Sequence, residues 1–147
     1  MSQHSYNYMS QETKGQAELP VLQAQDLVYR AMLREDWIDQ ETQEVLPAAY
    51  MRGERDVHGI SVGIVATYPL KRFIRKWSRC YGVATLKVQD TRNITDEDGQ
   101  ILGIDIVPDS IRHANINTHI PYQTDNLIKA LHIATQLADD STMVDGT

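Results

Sequence analysis

From Ile60 to Ala66 the chain is almost continuously apolar, with β-branched Ile60, Val62, Ile64 and Val65. Such a run predicts a strand buried on both faces. Thr67 follows as an N-cap residue, and Pro69 falls in the first turn of a helix, where its missing N–H is harmless. Leu70, Phe73, Ile74 and Trp77 then recur at helical spacing, opposite Lys71, Arg72, Arg75, Lys76 and Arg79. Gly82 predicts the end of this helix and Val83–Val88 the next strand. Two strands joined by a helix allow a parallel crossover pair, and equally an antiparallel sheet with the helix packed across it.

Upstream, Val21, Ala24, Leu27, Val28 and Ala31 match a helical period, but a short strand near Leu27 to Leu33 is favoured; Trp37 and Ile38 read as an apolar anchor, and Asp39 to Glu44 as a polar turn. Val45 to Met51 is a second apolar patch interrupted by Pro47, which predicts an edge strand. Arg52 to Gly59 is a charged loop. Downstream, residues 89–100 are acidic and turn at Asp98-Gly99, Ile101 to Val107 alternates as a strand ended by Pro108, and Ile111 to Ile120 alternates again. That last strand carries Ile111, His113, Asn115, Asn117 and His119 on one side. Thr124 or Asp125 caps a final helix to about Ala138, with Leu127, Ala130, Leu131, Ala134, Leu137 and Ala138 facing the core. The expected organisation is a disordered arm over residues 1–19, whose Tyr6 and Tyr8 are partner anchors at most, one α+β domain over 20–138, and an acidic flexible tail over 139–147. The fold class is α+β, with a mixed or antiparallel sheet, a central basic amphipathic helix and a C-terminal helix.

Composition narrows the function classes. With 147 residues, 41% of them hydrophobic, the chain can bury one core without staples. A net charge of −6 argues against a general nucleic-acid coat, although it leaves room for a local basic patch. The single cysteine, Cys80, excludes an internal disulfide framework and points to a reducing compartment. No apolar run has bilayer-spanning length and no secretory signal pattern opens the chain, so the expectation is a cytoplasmic protein without membrane contact.

Against that acidic background the basic helix stands out, because clustered cations repel unless something negative lies nearby. One reading makes Arg72, Arg75, Lys76 and Arg79 a docking face for a phosphate-bearing ligand, RNA, DNA or, as favoured here, an acidic protein partner; the other makes them a solvated face neutralised by residues 96–98 or by the acidic tail. His113 and His119 do not share zinc-ligand spacing, and six residues of strand separate them by about 20 Å. His113 remains an acid–base candidate because histidine titrates near neutrality, or else a hydrogen-bonded structural residue. His58 precedes Ser61 without any nucleophile-elbow pattern, and no P-loop or dinucleotide fingerprint is present.

Two resemblances follow. The segments VYRAMLREDWID, LPAAY, HGISV, GVATLKV and HANI, across residues 27–120, resemble a group of small bacterial proteins and imply no particular activity. The order Tyr29-Arg30-Ala31, Arg52-Gly53 and Gly59-Ile60-Ser61 before a helix resembles the RES-type, ADP-ribosyltransferase-like toxins. That resemblance implies NAD as cofactor, with Arg30 meeting its phosphates through a fixed bidentate donor and Ser61 assisting in positioning. The family's Gly-Gly-Arg-Trp-type segment is absent, and its helix glutamate position carries lysine and arginine here. The expectations are therefore a cofactor-free accessory protein that docks an acidic partner, or an NAD-cleaving or ADP-ribosylating enzyme using Arg30, Ser61 and His113. RNA binding is a third and less favoured reading, for want of an aromatic stacking platform. Leu46, Tyr50 and Met51 are placed at an open sheet edge where a second copy could pair.

Overall fold

A computed structural model describes residues 19 to 145 apart from 54, 55, 57 and 121. Its centre is an antiparallel sheet of β1 (Leu27–Ala31), β2 (Ile60–Ile64), β3 (Val83–Lys87), β4 (Asp105–Pro108), β5 (His113–Asn117) and β6 (Thr142–Met143). These six strands lie in the order β4-β5-β2-β1-β3-β6. The chain is thus α+β, as its pattern predicts. Both β2 and β3 run antiparallel to β1, which lies between them. They therefore point the same way without touching, which resolves the alternatives left open by the strand–helix–strand reading.

Strand alternation divides the core in two. Val28, Met32, Ile60, Val62, Ile64, Leu86 and Ile116 bury one face, under α3 (Leu127–Asp139) and the 3-10 turn Pro47–Tyr50. Tyr29, Ala31, Phe73 and Val83 make a smaller cluster on the other face, under α1 (Leu70–Arg75). The Phe73 ring stacks on Tyr29 with centroids 4.9 Å apart. Gly63, which pairs with Tyr29, makes room for that ring: a Cβ there would lie 2.8 Å from Phe73.

Several boundaries differ from the sequence reading. Pro69, not Thr67, occupies the N-cap position of α1, and the Thr67 hydroxyl donates instead to the Ile111 carbonyl. The helix stops at Arg75 rather than near Gly82. The following backbone turns to the end of β1, with Tyr81 N–H on Met32 O and Met32 N–H on Gly82 O, both at 2.8 Å. A short α2 (Val88–Arg92) stands directly after β3 where a polar loop was expected. Ile101 makes only an isolated bridge to Thr95.

At the C-terminal end, α3 is capped by Asn126, whose side chain accepts from Lys129 N–H, rather than by Thr124 or Asp125. Its buried face is Ile133, Ala134, Leu137 and Ala138, whereas Leu127 and Leu131 are exposed. The supposed flexible tail contains β6, which pairs with β3 and so extends the sheet. The patch from Val45 to Met51 is not an edge strand. Tyr50 is buried with its hydroxyl 2.6 Å from Ser141 Oγ, so the proposed pairing edge is inside the fold. The arm expected over residues 1–19, with Tyr6 and Tyr8, lies outside the described residues except for Leu19.

Candidate functional site

Alternation in β1 points Arg30 to the larger core, where an unpaired guanidinium would be costly. The surroundings answer each side of it. Its Nε donates to Ala49 O at 2.8 Å, and its Nη1 donates to Asp56 Oδ1 at 3.1 Å and to Ser61 O at 2.9 Å. Nη2 reaches Asp56 Oδ2 at 3.4 Å, and the Trp37 and Tyr50 rings lie 5.3 and 5.9 Å from Cζ. Asp56 also accepts from the backbone N–H groups of Gly53 and Ser61, both at 2.9 Å. Burial pushes the Asp56 carboxyl up, but the Arg30 charge and these hydrogen bonds outweigh it and leave the pKa below the usual carboxylate value. Arg30 thereby clamps the charged loop to β1 and β2.

On the opposite face of β2 a second polar chain begins at Ser61. In the β2–β5 register Ser61 faces Asn115 and Gly63 faces His113, which makes Ser61 and His113 diagonal neighbours. Ser61 Oγ lies 2.6 Å from His113 Nε2, and His113 Nδ1 lies 2.7 Å from Asp109 Oδ1. Asn115, itself buried, donates from Nδ2 to Asp109 Oδ2 at 2.9 Å. Asp109 begins the turn after β4 and is anchored by its own N–H on His113 O at 3.0 Å. Partial burial raises the Asp109 pKa, yet the bonds from His113 and Asn115 and the His113 charge depress it overall. An ionised Asp109 only accepts, so the neutral imidazole carries its proton on Nδ1 and offers Nε2 to the Ser61 hydroxyl. Serine, histidine and aspartate thus form a proton-accepting relay.

The two systems meet at a cleft of about 460 Å³ whose lining includes Arg30, Trp37, Asp56, Ser61, Trp77 and Arg79. The lining thus combines indole rings, guanidinium groups and a hydroxyl backed by imidazole.

Of the residues singled out from the sequence, Arg30 and Ser61 line this cleft, and His113 contacts Ser61 without lining it. Arg30 serves as a buried scaffold cation rather than as a projecting phosphate donor, since its Nε and Nη1 are committed within the protein. Arg79 lines the cleft, whereas Arg72, Arg75 and Lys76 are exposed on or just after α1. None of these four cations makes an ion pair among the described residues, residues 96–98 included. His119 is not on the strand with His113: it has φ 64° and contacts Gly103 O at 2.9 Å. Asp56, Asp109, Trp37 and Trp77 were missed as site residues. The Pro108-Asp109-Ser110 turn immediately before an alternating His-x-Asn strand was the available signal for Asp109. No helix among the described residues is long and apolar enough to cross a membrane. In comparisons with known proteins, the chain matches no family model, no curated protein and no solved structure.

Proposed function

We propose that the cleft binds NAD and cleaves its nicotinamide–ribose bond, in the manner of an ADP-ribosyltransferase or NAD glycohydrolase. The observation that carries the reading is the convergence of Arg30, Ser61 and His113. Arg30 Nη1 sits 2.9 Å from Ser61 O, and Ser61 Oγ sits 2.6 Å from His113 Nε2, although the three are distant in the chain. The Trp37 and Trp77 indoles in the lining suit an aromatic nicotinamide ring. Asp56, kept ionised, places a carboxylate in the lining as positive charge develops on the ribose.

In the reaction the C1′–N bond breaks and nicotinamide leaves with the bonding pair. Water, or the hydroxyl of an acceptor, forms the new C1′–O bond. Its proton passes to Ser61 Oγ while the Ser61 proton passes to His113 Nε2, and Asp109 stabilises the resulting imidazolium. Free nicotinamide, measured after incubation with NAD, is the test. Release by the native protein that falls about 100-fold in Ser61→Ala and in His113→Ala supports the assignment. No release by the native protein, or undiminished release by both variants, overturns it.

A second reading has its own support in Arg72, Arg75, Lys76 and Arg79, which make no ion pair among the described residues and suit an acidic protein partner. Binding of a polyglutamate probe that weakens with salt and is lost on reversing Arg72 and Lys76 favours it. Binding indifferent to both counts against it.

A further inference from the structure

Beside the Ser61 cleft lies a second, more open hollow of about 480 Å³, lined by Glu35, Asp36, Gln40 and Tyr81. The two hollows share Leu33, Arg34 and Arg79. They are therefore adjacent, with two arginines at their common border. Both arginines are exposed. Arg34 is oriented by a bidentate bond to Asp36, with Nε to Oδ1 and Nη2 to Oδ2 both at 3.0 Å, and Arg79 has no ion-pair partner among the described residues.

The two hollows differ in chemistry. The first holds the indoles and the Ser61 relay. The second has the half-exposed ring of Tyr81 together with carboxylate and amide oxygens at Glu35, Asp36 and Gln40. Carboxylates of this kind accept from ribose hydroxyls, a phenol ring stacks on a base, and guanidinium groups between them match phosphate oxygens. A mononucleotide would use one hollow and leave the other empty.

We infer that the two hollows are lobes of one groove that takes a dinucleoside diphosphate end to end, with the diphosphate on Arg34 and Arg79 and the distal nucleoside in the Tyr81 lobe. The inference rests on the NAD reading of the Ser61 cleft and gives that ligand its direction. It moves Arg79 from a partner-docking face to the ligand, and it places the phosphates on Arg34 and Arg79 rather than on Arg30.

The test is a titration of isotopically labelled protein with NAD, with ADP and with nicotinamide riboside, which lacks phosphate. Amide shifts locate each ligand and give its affinity. NAD is expected to perturb both lobes, ADP the arginine border and the Tyr81 lobe, and nicotinamide riboside the Ser61 lobe alone. Replacing Arg34 and Arg79 together by alanine is expected to weaken NAD and ADP at least about 10-fold and nicotinamide riboside far less, in line with the loss of charge-assisted bonds to phosphate. Equal affinities for native and double-variant protein, or ADP shifts confined to Arg72, Arg75 and Lys76, overturn the inference. Both variant positions are exposed, and an unchanged thermal midpoint verifies that the fold survives. Binding along the groove without nicotinamide release retains this assignment and removes the catalytic one. Nicotinamide release indifferent to the double variant does the reverse.

Discussion

The Ser61 hydroxyl and the His113 imidazole meet at 2.6 Å across adjacent antiparallel strands, diagonal to one another in the register. Serine on a strand is commonplace, but here its oxygen faces a ring nitrogen whose partner atom is held by a carboxylate at 2.7 Å. Asn115 fixes that carboxylate from the next position on the same strand face. The relay therefore rests on the β4–β5 turn and the β2–β5 pairing, two features of backbone geometry rather than of a loop that must be ordered first.

Asp109 is the positioning residue of this relay. Asp109→Asn keeps the shape of the side chain but removes the charge that supports an imidazolium. Nicotinamide release is expected to fall about 100-fold, mainly in kcat, with KM nearly unchanged. Partial rescue by Asp109→Glu, which restores the charge, provides a second readout. A purely structural Asp109 would alter stability and leave kcat independent of the charge at this position.

The Arg30–Asp56 pair ties stability to pH. Asp56 has its folded pKa below the unfolded value, so its contribution is fully present above the ordinary carboxylate range and is lost as pH falls through the depressed folded value. Asp56→Asn leaves the buried Arg30 without its counter-charge and is expected to destabilise the protein at neutral pH by about 3–5 kcal/mol. Urea unfolding from neutral to strongly acidic pH is the measurement. The gap between native and variant proteins should narrow only at the acid end, and a gap constant with pH would exclude the pair as its source.

Much of the frame was legible because burial writes periodicity into the chain. Ile60 to Ala66 and Val83 to Val88 gave β2 and β3, and the alternation of His113, Asn115 and Asn117 with Ala114 and Ile116 gave the faces of β5. Strand direction was not legible, since β1 inserts between β2 and β3 through pairings that no local pattern records. The C-terminal helix was placed correctly but rotated, because Leu127 and Leu131 fit the apolar stripe and yet point to solvent. At the site, Arg30, Ser61 and His113 were visible as residue types. Asp56 and Asp109 were not, because each acts from an irregular segment whose direction depends on the tertiary fold.

Gly63 offers a direct check on the smaller core. Its backbone is open to any residue in φ, but a Cβ would stand 2.8 Å from two atoms of the Phe73 ring. Gly63→Ala must displace that ring from its stack on Tyr29, and overpacking of this kind costs about 1–3 kcal/mol. Thermal unfolding is expected to show the loss, and Gly63→Ala combined with Phe73→Leu should recover part of it. A variant as stable as the native protein would mean that α1 is not pressed against β2 as described.

The shortness of α1 carries the last prediction. Lys71 and Arg75 stand four apart in the helix and repel, and the helix ends at Arg75 although the apolar stripe continues to Trp77. Lys71→Glu turns repulsion into attraction and places a negative charge in the first turn, where the helix dipole favours it. The backbone carbonyl of residue 71, which accepts from Arg75 Nε at 3.3 Å, is unaffected by the change. Stability should rise by about 0.5 kcal/mol at low ionic strength, and the gain should shrink as salt screens the pair. Circular dichroism melts at low and high salt separate these effects. A fall in midpoint at low salt would mean that the lysine stem, rather than its charge, is what the helix uses.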